Sequence, residues 1–97
     1  MSVYYRLTMR ISASNLKTKR FRATFKDGTK VNFGSKGGNT LIDNATEKQK
    51  SAYLARHSKN NEDWNDYKSA GALSRHLLWK SKSLTTNIKE YKKRFNL

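Results

Sequence analysis

The chain has 97 residues, 21 Lys/Arg against 7 Asp/Glu, a formal net charge of +14, 35% hydrophobic residues and no cysteine. That length supports one modest core, and the lack of cysteine excludes disulfides and thiolate metal sites. No apolar run approaches the roughly 18 residues of a membrane span, and the start lacks the apolar stretch of a signal peptide, so an intracellular, reducing setting is expected.

The charge is spread along the chain, with nine Lys/Arg and one acid up to Thr40 and twelve against six from Leu41 onward. It therefore belongs to the folded body rather than to a tail. A compact state of this charge repels itself, and a polyanion or an acidic protein surface would relieve the repulsion.

Val3, Tyr5, Leu7, Met9 and Ile11 alternate with Tyr4, Arg6, Thr8 and Arg10, the period of a half-buried strand. After a turn at Ser12 to Asn15, Phe21, Ala23 and Phe25 alternate with Arg20, Arg22, Thr24 and Lys26, which predicts a second strand with a basic outer face. Asp27-Gly28 is a two-residue hairpin signal of type I′, and Val31 and Phe33 continue as a third strand. The glycine-rich run Gly34-Ser35-Lys36-Gly37-Gly38 reads as an irregular loop. Thr46 and Gln49 have capping-box spacing and open a helix to about Ser58. A second helix is expected over about Ser69 to Lys80, with Leu73, Leu77 and Trp79 inward. Ser83 caps a third, whose Leu84, Ile88, Tyr91 and Phe95 form one stripe. The fold class is α+β: one domain over residues 1–97, with a three-stranded antiparallel meander to about residue 34 and, from about residue 46, three helices packed on one face.

The strongest functional candidate is the basic strand face: Arg6, Arg10, Arg20, Arg22, Lys26 and, on the third strand, Lys30. It either neutralises phosphates or keeps the domain soluble. Soluble faces usually mix both signs, and Asp27 is the one acid nearby, which favours binding. Lys36 in the glycine loop would add a cation to a nest of free amides, although the P-loop spacing is absent and a plain connector is the competing reading. Lys92, Lys93 and Arg94, with Lys89, either clamp phosphates or form an ordinary solvated helix end. Trp64 and Trp79 are assigned to the core ahead of base stacking, because so short a chain needs its large side chains for burial. Arg56-His57 followed by Asn60, Asn61, Glu62 and Asp63 raises a metal-dependent nuclease, which would need His57 and His76 together beside a carboxylate. No catalytic set, metal ligand set, cofactor or small-molecule substrate is expected.

Several strings occur together: Phe33-Gly34-Ser35-Lys36-Gly37; Arg56-His57 followed by Glu62 and Trp64; Ala70-Gly71-Ala72-Leu73-Ser74-Arg75 followed by Leu78-Trp79; and Tyr91-Lys92-Lys93-Arg94-Phe95. Their combination resembles a family of small basic proteins encoded by large nucleocytoplasmic DNA viruses of eukaryotes, the relatives found in chlorella viruses and mimiviruses. The chain departs from that family at Asn39-Thr40, where an acid is common, and at Tyr67, where a proline is common. The resemblance implies a viral context, in the host nucleus or cytoplasm or in the virion, and supplies no catalytic residues. The expected function is nucleic-acid binding, of DNA first, by phosphate neutralisation with little base readout. The alternative is a minor capsid protein that cements capsid subunits or bridges them to the genome or an inner membrane.

Overall fold

The computed structural model describes residues 9–59 and 63–97. Val3, Tyr5, Leu7 and Arg6 of the first predicted strand, and Asn60, Asn61 and Glu62, lie outside the described residues. The described elements are strands β1 (Met9–Ala13), β2 (Lys19–Phe25) and β3 (Lys30–Ser35), a 3-10 turn (Leu41–Asp43), and helices α1 (Glu47–Ser58), α2 (Ala70–Leu73) and α3 (Leu84–Arg94). α2 runs directly into a π-helical turn, Ser74–Leu78. The three strands form one antiparallel sheet in chain order, the predicted meander followed by helices.

Register follows the alternation. Met9 pairs with Phe25, Ile11 with Ala23, Ala13 with Phe21, and Phe21 in turn with Phe33. These residues share one face, and Met9, Ala23, Phe25 and Phe33 on it are buried. α2 and the π turn pack against β3, and Leu73, Leu77, Leu78 and Trp79 complete the core with Leu41, Tyr53 and Tyr91.

Two local differences from the expectation have clear causes. Asp27-Gly28 turns the chain, but Gly28 alone carries a positive φ, +91°, where a type I′ turn needs two. The amide of Gly28 donates to Phe25 O at 2.9 Å, and Phe25 N donates to Thr29 O at 2.9 Å. The result is a three-residue loop, a tight turn followed by a left-handed glycine. Second, Gly34 and Ser35 belong to β3 rather than to the loop. A methyl on Gly34, whose φ is +78°, would sit 3.0 Å from Leu78 Cδ1. The missing side chain is what lets the π turn settle onto the strand.

The helix starts follow their caps. Thr46 Oγ accepts from Gln49 N at 3.1 Å while Gln49 Oε1 accepts from Thr46 N at 2.8 Å. Ser69 Oγ accepts from Ala72 N at 3.0 Å, and Ser83 Oγ from Thr86 N at 3.2 Å. The second helix is not the single α-helix expected over Ser69 to Lys80, because its second half widens into the π turn. Asn87 secures the end of that turn. It is 1% exposed, and its amide donates to Leu77 O and to Ser81 O, both at 2.9 Å. On α3, Tyr91 is fully buried and donates its hydroxyl to Tyr67 O at 2.7 Å.

Candidate nucleic-acid interface

The face of the sheet opposite the core carries Arg10, Thr24 and Lys30 in one cross-strand row and Ser12, Arg22 and Asn32 in the next. None of these six is buried, and Arg10 and Lys30 are exposed. Facing residues in neighbouring rows stand within about 8 Å of one another, so the three cations form one patch with no carboxylate in it. Arg22 is oriented by neutral partners. Its Nε donates to Asn32 Oδ1 at 3.3 Å and its NH2 to Asn15 Oδ1. Ser14 Oγ also donates to Asn32 Oδ1, at 2.7 Å. Amide oxygens fix a guanidinium without neutralising it, and Arg22 keeps its full charge on an ordered arm.

Arg20 behaves differently. Its NH1 and NH2 donate to the two oxygens of Asp43 at 2.6 and 2.7 Å, and the side chains are 28% and 27% exposed. Asp43 also accepts from Thr40 N and Thr40 Oγ at 3.1 and 2.9 Å. The bond from Arg20 lowers the Asp43 carboxyl to about 2 from an ordinary 3.8, and the same bond raises Arg20. Arg20 thus pins the 3-10 turn to β2 and is already matched to an anion. Asp27, the acid nearest the sheet, is likewise engaged: Lys68 Nζ donates to it and holds its carboxyl well below the usual range.

Lys26 is exposed in the hairpin loop and Lys36 in the loop after β3. That loop is not an open nest, because Lys36 N donates to Thr18 O at 3.1 Å and Gly38 N to Ser35 O at 3.0 Å. Two of its amides are taken by its own backbone. Lys92 is half-buried, and Lys93 and Arg94 are exposed at the end of α3, far in sequence from the sheet cations.

Two clefts gather further cations. One, of 420 Å³, lies between the loop after β3, α1 and α2, and Lys19, Arg56 and His57 are in its lining. Trp79, 7% exposed, stacks on Tyr53 with centroids 4.6 Å apart, and His57 stacks on Tyr53 at 4.1 Å. Trp79 therefore fills the core as expected. The other cleft, of 460 Å³, is lined by Trp64, Asn65 and His76 together with Lys50, Arg75, Lys80 and Arg94. Trp64 is only half-buried, with the Arg75 guanidinium 5.3 Å from its ring centre. His57 and His76 line different clefts. Among the described residues no group of three or more His, Asp or Glu is placed to hold a metal ion, and no helix is long and apolar enough to cross a membrane.

Residues 9–57 match the model of a family described as a family of unknown function, DUF5754. The chain belongs to that family. Neither a curated protein nor a solved structure matches it. The DUF5754 match spans the sheet, the loop after β3 and α1, so Arg10, Arg20, Arg22, Lys26, Lys30 and Lys36 fall inside it. Trp64, Arg75, Lys80 and Arg94 lie beyond it. Of the residues around the second cleft, sequence reasoning selected Arg94 alone as a binding residue. Lys50, Arg75 and Lys80 come from separate elements, with no spacing that links them.

Proposed function

We propose that this member of the DUF5754 family binds nucleic acid through its phosphates, DNA first, with little reading of sequence. The observation that supports this most directly is the open outer face of the sheet. Arg10, Arg22 and Lys30 sit there together, no described carboxylate joins them, and Arg22 is held in place by neutral amides. A cation ordered in advance and left unneutralised loses little freedom when a phosphate arrives. Releasing the counterions of the nucleic acid supplies the drive. Nothing on this face is a helix with base-reading side chains, and flat contact with the backbone is the expected mode. By the viral resemblance, the nucleic acid would be a viral genome.

The rival reading, a virion protein that cements capsid subunits, calls for an exposed apolar patch. Among the described residues Leu16, 45% exposed, is the one large apolar side chain left in solvent. The charge pattern therefore carries more weight than any apolar surface.

The test is anisotropy of a labelled generic duplex titrated with salt. Affinity should fall with a log–log slope of about 0.9 for each phosphate contacted. Replacing Arg10, Arg22 and Lys30 together with alanine should reduce that slope by roughly 2–3. Absence of binding near physiological salt, or a slope that the triple replacement leaves alone, would overturn the reading.

A further inference from the structure

The cleft around Trp64 has a lining that the stability of the fold does not explain. Lys50 comes from α1, Arg75 from the π turn, Lys80 from the segment after it and Arg94 from the last turn of α3. No Asp or Glu is in that lining. The cations are poorly matched by the protein itself. Lys50 Nζ meets a carbonyl, that of Lys80, at 3.3 Å. Arg94 NH2 meets Asn65 Oδ1 at 3.4 Å. Lys80 reaches Glu90 at 3.5 Å, a loose pair with both side chains about half exposed. Arg75 lies over the Trp64 ring. Like charges brought together around a recess without a matching anion repel one another.

His76 reports that repulsion from inside the cleft. Its pKa is lowered by burial first, and then by Arg94, Arg75 and Lys80. Two buried donors point the same way: Trp64 Nε1 and Arg75 Nε have no acceptor among the described residues. Buried N–H groups are rarely left so, and both belong to residues that line the cleft.

We infer that this cleft is a phosphate site, taking a phosphomonoester or pyrophosphate group between Arg75, Lys80, Arg94 and Lys50, with Trp64 at its wall. A carboxylate offers one charge to four cations. A phosphomonoester offers nearly two charges and three acceptor oxygens, and a pyrophosphate offers more of both. The guanidinium groups of Arg75 and Arg94 suit the geometry of such an anion. The group has two possible sources, a free nucleotide or pyrophosphate, or the 5′-terminal phosphate of a nucleic-acid strand. The site stands apart from the sheet face and does not depend on it.

The experiment is a titration of the full ¹⁵N-labelled chain with pyrophosphate, following the indole N–H resonances of Trp64 and Trp79. The Trp64 resonance should move saturably while that of Trp79 stays. Arg75→Gln and Arg94→Gln should each weaken the response about tenfold, the loss of one charge-assisted contact. Arg22→Ala should leave it unchanged while weakening duplex binding, which separates this site from the sheet. A second arm compares a 5′-phosphorylated trinucleotide with its 5′-hydroxyl counterpart. Tighter binding of the phosphorylated form assigns the strand end; equal affinity with saturation by pyrophosphate assigns the free anion; both uphold the site. A Trp64 resonance that stays still up to about 10 mM pyrophosphate, the weak limit of a specific site, would overturn the inference. So would an unchanged response in the folded Arg75→Gln/Arg94→Gln variant.

Discussion

Truncating Arg20 to alanine distinguishes a cation that holds the fold from one that holds a ligand. Arg20 and Asp43 make two short hydrogen bonds, with both side chains about three-quarters buried. Exposed ion pairs contribute about 0.2–1 kcal/mol, and hydrogen bonds to charged groups about 1.5–3 kcal/mol. This pair falls between, and Thr40 continues to support the Asp43 carboxylate after the change. The expected loss is about 1.5 kcal/mol, or a Tm lower by roughly 6–12 °C for a domain of this size. Arg22→Ala is the control, because it removes the same charge and relieves the same self-repulsion without breaking an ion pair. Its Tm should move by less than half as much, while its binding to duplex falls. Acid adds a second signature. The folded pKa of Asp43 is depressed from 3.8 to about 2, chiefly by Arg20. The pair's contribution is therefore full above 3.8 and is lost as the pH falls through about 2. In Arg20→Ala that acid-sensitive component should shrink. The reasoning fails if Arg20→Ala melts with the wild type and weakens duplex binding as much as Arg22→Ala does.

Gly34→Ala should destabilise by about 1–3 kcal/mol, from left-handed backbone strain and the contact with Leu78, and a thermal melt checks it. Asn87→Ala should cost about 2–3 kcal/mol in a urea melt, since it strands the buried carbonyls of Leu77 and Ser81. His76, with a folded pKa depressed by burial, contributes stability that is full above 6.5 and is lost as the pH falls through its folded value. Urea midpoints should therefore drop between about pH 7 and about pH 5 in the wild type, and less so in His76→Gln.

The fold was legible where local chemistry decides it. Alternation placed Phe21, Ala23, Phe25 and Phe33 on the buried face, and Thr46, Ser69 and Ser83 marked their helix starts because capping is a contact of three residues' reach. The hairpin type was not legible, since Asp27-Gly28 serves a three-residue loop as readily as a two-residue one. The π turn was hidden because its residues carry ordinary helical patterning. What widens the turn is the tertiary support of Asn87, which the sequence displays as one polar residue on an exposed-looking face. The candidate site divides in the same way. Arg10, Arg22 and Lys30 were visible through strand period. The engagement of Arg20 was not, because Asp43 lies 23 residues away, and the cleft around Trp64 needs four elements to be assembled before its charge can be seen.

The π turn has a consequence for chain length. Such a turn holds one residue more than an α-turn of the same height, and its hydrogen bonding is the less common kind. Deleting any one residue between Ser74 and Leu78 lets an ordinary α-helix form, and it turns everything upstream by about 100° against everything downstream. Arg75 would then leave the side of Lys80, while composition and net charge hardly changed. This half of the molecule is therefore more sensitive to counting than to spelling. A family member aligned over 9–57 shares the cleft only if it retains the extra residue.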